Sequence, residues 1–127
     1  MPNPLHDQLF GRHADSEAPF LHFADGTTIT HAAFGRMAGR FANALTAHGL
    51  DPGDRVAVQI EKSAEALAIY AACARAGLVF LPLNTAYTAD EVGYLVSDSG
   101  AGLFVCDPAR AEEMGAVAEA AGAGLAT

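Results

Sequence analysis

Three short apolar runs recur in the second part of the chain: "RVAVQI" from Arg55, "LVFLPL" from Leu78 and "GLFVCD" from Gly102. Each interval between them holds one helix. Runs that are apolar on both faces suit strands covered from both sides, and the intervening helices return the chain so that each strand starts in the same direction. From residue 54 the order is therefore β-α-β-α-β-α, the pattern of an α/β fold with a parallel sheet and flanking helices joined by right-handed crossovers.

The boundaries follow from local chemistry. A strand is expected over Arg55–Ile60, after the turn "DPGD". Ser63 caps a helix over 64–76 that Gly77 closes, and its alanines permit close approach to a sheet. Thr88 and Glu91 have the spacing of a capping box for a helix over 89–98, each side chain satisfying the other's backbone N–H. A third strand runs over about 102–106. Asp107 as N-cap with Pro108 at the first helical position then predicts the start of a last helix. Pro82 has no ladder donor, so its strand belongs at an edge or where pairing loosens. The segment "EEMGAVAEAAGAGLAT" finishes that helix and meets glycines where a fourth strand is expected. Three central strands call for more covering than these helices offer, so the sheet is expected to be only part of a larger architecture.

Ahead of the sheet, Leu5, Leu9 and Phe10 suggest one face of a short helix. Phe20–Phe23 and Thr27–Thr30 read as an N-terminal β-hairpin turned at Asp25-Gly26, where positive φ is needed. Thr30 caps a helix over 31–48, in which Phe34, Met37, Ala38, Phe41 and Leu45 form one apolar stripe. Gly49 ends it, with Leu50 placed to pack back.

Length fits one domain, and 51% hydrophobic with 17% charged residues is a globular balance. The net charge is −8, and only Lys62 and six scattered arginines supply positive charge. That argues against nucleic acid and anionic membranes as partners. The N-terminal residues lack a basic segment with an apolar run, and no stretch reaches the roughly 20 apolar residues of a membrane span. A cytoplasmic protein is expected, with Cys73 and Cys106 as reduced core residues.

The three strand-to-helix turns, "QIEKSAEA", "PLNTAYTADE" and "CDPARAEE", contain neither GxGxxG nor GxxxxGK[ST]. Lys62, in Glu61-Lys62-Ser63, has a place at a strand's C-terminal end where an anion would bind, but a solvated turn with a serine cap explains the same residues. The histidines at 6, 13, 22, 31 and 48 have no ligand spacing. Acidic pairs at Asp51/Asp54, Asp90/Glu91 and Glu112/Glu113 sit at turns or helix starts, where they complement helix dipoles. No Ser-His-Asp or Cys-His arrangement has a supporting motif. No catalytic, cofactor-binding or metal-ligating residue is assigned among the 127. At the start of "LNTAYT", Asn84 either holds the turn or faces a ligand, and the turn is the favoured reading. Tyr87 is placed to pack on the helix start.

Taken together, "GLDPGDRVA" after a helix and "AGLVFLPL" some 20 residues on make the chain resemble the N-terminal segment of adenylate-forming acyl-CoA synthetases, most clearly over residues 18–107. Within that superfamily "EKSAEAL", "RAG", "LPLNTAYT" and "VCDP" look most like malonyl-CoA synthetases. The aspartate and proline that peptide-synthetase adenylation domains place before the tyrosine are replaced by Asn84-Thr85-Ala86. The resemblance implies a two-step ligase using ATP, Mg²⁺ and CoA. A carboxylic acid, malonate favoured, attacks the α-phosphorus of ATP, and the CoA thiol then displaces AMP. It also implies that residues 1–127 are an N-terminal fragment of the large domain. The family's phosphate loop, adenine and ribose motifs, hinge and catalytic lysine are absent from them, so this segment alone is expected to bind no cofactor and to be inactive. The rest of the enzyme, or another chain, is expected to cover the open sheet edge. A non-catalytic α/β binding module, a synthetase for another short or medium acid, and a peptide-synthetase adenylation domain are the alternatives.

Overall fold

A computed structural model describes residues 3–127. Helix α1 (Pro4–Leu9) precedes a hairpin of β1 (Pro19–His22) and β2 (Thr28–Thr30), and α2 (His31–Ala47) follows. The alternating part comprises β3 (Arg55–Gln59), α3 (Ala64–Ala76), β4 (Val79–Pro82), α4 (Ala89–Ser99), β5 (Leu103–Cys106), α5 (Ala111–Ala120) and β6 (Gly124–Ala126). The last four strands form one parallel sheet in the order β4-β3-β5-β6. The fourth strand is thus the short one expected among the terminal glycines, and β4 with Pro82 lies at an edge.

Strand period two sorts the sheet residues between two cores. Val56 and Val58 of β3 and Leu103 and Val105 of β5 face α2 and α3, joining Leu45, Ala72 and Cys73. Ala57, Phe104 and Cys106 face α4 and α5, meeting Val92, Val96, Met114 and Ala118. Both faces of β3 and β5 are therefore covered by this chain's own helices, while β4 and β6 hold no buried residue, so the expected shortage of cover is confined to the sheet's two edges. The helix missing from that reckoning is α2: it lies before the sheet in sequence but packs on its face alongside α3. The alanines of α3 serve this packing as much as the sheet, since Ala68 and Ala71 meet Phe34 and Ala38 of α2 and the hairpin's Phe20 and Ile29.

The caps on α2, α3 and α4 follow the sequence. Thr30 Oγ1 accepts from the Ala33 N–H at 3.1 Å, and Ser63 Oγ from the Ala66 N–H at 3.1 Å. Gly77 takes φ +75°, which lets the Leu78 N–H reach back to the Cys73 carbonyl at 2.8 Å. The hairpin turn uses Gly26 at φ +90°, and Leu50 packs back into the core.

Three local details differ from expectation. Thr88 Oγ1 does accept from the Glu91 N–H, but the Glu91 carboxylate takes the Thr88 hydroxyl at 3.2 Å, so only one backbone donor of the capping box is met. The last helix does not start at Asp107-Pro108. Those residues open a 3₁₀ turn over Pro108–Arg110 with no side-chain cap, and α5 begins at Ala111. Leu5 and Leu9 of α1 are about half exposed (53% and 45%), and only Phe10 enters a core. Helix α1 is held instead by Asn3, whose amide donates to the Ala74 carbonyl at 2.7 Å and the Arg75 carbonyl at 3.2 Å. Both are among the last carbonyls of α3, where Ala74's also takes the Gly77 N–H at 3.4 Å, so a polar contact substitutes for an apolar face.

Candidate functional site

A parallel open sheet presents its ligand crevice beyond the C-terminal ends of the strands, where successive connections depart to opposite sides. Here β3 is followed by β4 on one side and β5 on the other, with α3 and α4 on opposite faces. The switch point therefore lies between the ends of β3 and β5. A cavity of about 470 Å³ opens there, bounded by Ile60 and Glu61 after β3, Val105 and Asp107 at β5, and Phe41 and Leu45 from α2.

Gln59, the last residue of β3, organises this end of the sheet. It is the one buried polar side chain (2% exposed) among the described residues. Its amide donates to the Asn84 carbonyl at 2.9 Å and the Tyr87 carbonyl at 3.3 Å, and its own carbonyl accepts from Arg110 Nη1 at 2.7 Å. Arg110 also reaches Glu113 at 3.5 Å. One side chain thus ties the β4–α4 joint to the β5–α5 joint. The sequence offers a signal for Gln59, a polar residue closing an apolar strand, but not its partners 25, 28 and 51 positions away.

Asn84 is exposed, and its Oδ1 accepts from the Ala86 N–H at 2.9 Å while its carbonyl accepts from the Tyr87 N–H at 3.1 Å. This is an Asx turn, the favoured of its two readings. Tyr87 packs against the core beneath α4, as expected. Asn84→Ala is expected to cost about 1 kcal/mol of stability and, for the activity proposed below, to leave kcat/KM unchanged. Urea unfolding and steady-state kinetics measure the two effects separately. Loss of activity without loss of stability would make Asn84 a ligand contact.

Ser63 caps α3 and donates its hydroxyl to the Glu61 carbonyl at 3.2 Å, and Lys62 is exposed beside it. The cavity rim carries Glu61, Glu65 and Asp107, with His48 as its nearest basic group. An apolar floor under a carboxylate rim does not by itself fit a triphosphate, whose charge calls for cations and backbone N–H groups. Among the described residues no group of three His, Cys, Asp or Glu is placed to hold a metal ion.

Both cysteines are free and buried. Burial pushes the Cys73 thiol up to about 11. Cys106, beside the cavity, is also raised, first by burial and then by the Asp107 charge, with Arg110 opposing. Both thiols stay protonated at neutral pH, a poor state for a nucleophile.

The model of the AMP-binding enzyme family matches residues 10–125, nearly the whole chain. The chain belongs to the AMP-binding enzyme family. A feruloyl-CoA synthase from an Amycolatopsis species is 40% identical over 93 residues, covering 73% of this chain and 19% of its own length. A fatty acid–[acyl-carrier-protein] ligase from Streptomyces coeruleorubidus is 39% identical over 95 residues, covering 75% and 18%. The crystal structures of MatB from Rhodopseudomonas palustris, apo and ATP-bound, superpose with a TM-score of 0.91 at 44% identity, over 98% of this chain and 25% of theirs. The chain thus spans between a sixth and a quarter of the length of these family members. Among the described residues no helix is long and apolar enough to cross a membrane.

Proposed function

We propose that this chain is the N-terminal portion of the large domain of a cytoplasmic AMP-forming acyl-CoA synthetase that converts malonate, ATP and CoA to malonyl-CoA, AMP and pyrophosphate. The observation that carries the reading is the likeness to MatB over 98% of the chain at 44% identity, taken with the resemblance of "LPLNTAYT" and "VCDP" to malonyl-CoA synthetases. The crevice at the ends of β3 and β5 supports it, because an α/β sheet binds ligands there. The catalytic groups, together with the cations that would neutralise phosphate and Mg²⁺-bound ATP, belong in this reading to segments outside the 127 residues. The part described here contributes scaffold: Gln59 fixes the two loops, and α2 and α3 form one wall of the crevice. A synthetase for an aromatic or a fatty acid is the second reading, favoured by the 40% and 39% identities to the feruloyl-CoA and fatty-acid enzymes.

Product analysis separates the two. The complete protein, offered malonate, ferulate and a fatty acid in competition with ATP and CoA, is expected to release malonyl-CoA and AMP as the dominant products by mass spectrometry. Feruloyl-CoA or a fatty acyl-CoA in their place would overturn malonate and keep the ligase class.

A further inference from the structure

The arginines that look scattered in sequence converge in space. Three of the seven Lys and Arg residues, Arg36, Arg40 and Arg75, line one groove of about 480 Å³ between α1, α2 and α3. Arg36 and Arg40 lie one helical turn apart on α2, so their side chains share a face. Arg75 comes from the last turn of α3 and lies across the bare backbone of Gly39, where an added Cβ would stand 3.0 Å from its Nη1. The absent side chain at Gly39 therefore leaves that guanidinium room against α2, in the groove that Arg36 and Arg40 also line.

No carboxylate lines the groove, although the chain carries 15 acidic residues. Among the described residues none of the three guanidiniums lies within 4.0 Å of an acidic group, whereas Arg110 has Glu113. Asp7 stands at the groove's edge, its Oδ1 3.3 Å from where a Cβ on the lining residue Gly11 would be, and is paired with His6 at 3.6 Å. Asn43 adds an amide donor to the groove, and Phe10 lines it as well. Three like charges held side by side repel one another, and a bound anion relieves that repulsion. Guanidinium forks pair bidentately with phosphate and carboxylate alike, and the higher charge of a phosphate-bearing anion gives it the stronger attraction to three cations.

We propose that this groove is a binding site for a phosphate-bearing small molecule with two or more negative charges. It shares no residue with the crevice at the ends of β3 and β5 and does not depend on the function proposed for that crevice.

The test is an amide NMR titration of the 127-residue chain with inorganic pyrophosphate at low salt, with malonate as a second arm. Pyrophosphate is expected to give saturable shifts at Arg36, Gly39, Arg40, Asn43 and Arg75, and to weaken steeply as salt is raised. Arg40→Gln and Arg75→Gln are each expected to raise Kd by about fivefold or more, with Arg40→Lys in between. The three arginines are exposed, so the variants are expected to keep the wild-type spectrum away from the groove. A rise in urea midpoint with pyrophosphate, lost in Arg40→Gln, gives a second readout that needs no spectrum. Absence of saturable shifts at the groove, or unchanged affinity in both glutamine variants, would overturn the site. Equal affinity for malonate at the same residues would overturn the assignment to phosphate.

Discussion

Replacing Phe104 with alanine is expected to destabilise the fold by about 3–5 kcal/mol, the range for deleting a buried aromatic ring. Phe104 is fully buried at the centre of β5 and is the largest side chain of the core that α4 and α5 close. Its core draws on four elements: Val92 and Val96 on α4, Met114 and Ala118 on α5, Ala57 on β3 and Leu125 on β6. Met114 can shift toward the space, but valines and alanines form most of its walls, so the cavity refills only in part. A domain of this size holds only about 5–15 kcal/mol, so the variant loses a large fraction of its stability. In urea unfolding the midpoint should fall while the slope stays constant. Phe104→Leu keeps most of the volume and is expected to cost less than half as much. Tyr94→Ala, at a side chain 67% exposed, should change stability by no more than about 0.5 kcal/mol. A loss below about 1 kcal/mol for Phe104→Ala would mean that this core is not packed as described.

The second large effect is expected at Gln59. Gln59→Leu keeps the volume but removes two donors and one acceptor. The carbonyls of Asn84 and Tyr87 then lose a donor, and the Arg110 guanidinium loses its 2.7 Å acceptor. The Asn84 carbonyl keeps the Tyr87 N–H and Arg110 keeps Glu113, so the group left unmet is the Tyr87 carbonyl, at a cost of about 1–3 kcal/mol. The location of the damage distinguishes this variant from a simple core defect. Amide exchange should accelerate at Ala86, Tyr87 and the Pro108–Arg110 turn, while Val56 and Val58 within β3 stay protected. Uniform acceleration across the sheet would show that Gln59 supports global stability without tying the two joints.

These two residues mark what was and was not legible in the sequence. Phe104 sits in a run whose apolar character and length announce a buried strand, and the same signal placed β3 and β4. Ser63, Gly77 and Thr30 revealed helix ends because capping acts over three or four residues, the range a sequence pattern can express. Pro82 was readable as an edge position because a missing N–H has one tolerable place in a sheet. The cover that α2 gives the sheet was not readable, since nothing local ties residues 31–47 to strands that follow later. Nor was the start of α5: Asp107-Pro108 has the form of a helix cap. The chain instead makes a 3₁₀ turn there, and its last residue, Arg110, reaches back to Gln59. The three-arginine groove is hidden in the sequence for the same reason, because residues 36, 40 and 75 meet only once α2 and α3 pack.

The candidate site was legible as a joint and not as chemistry. Asn84 was correctly placed in a turn, and Thr88 at a helix cap. The identity of the family rested on the order and spacing of such joints, and the family match across residues 10–125 agrees with it. The crevice itself required the strand order, because only the departure of β4 and β5 to opposite sides of β3 defines where it opens.

The adenylate-forming reading is tested most directly by isotope exchange between pyrophosphate and ATP, with CoA omitted. The complete protein should exchange label into ATP when malonate is present and not when it is absent, while the 127-residue chain alone should exchange none. Exchange by neither the complete protein nor the shorter chain with any carboxylic acid, or malonate-dependent release of ADP instead of AMP, would contradict it.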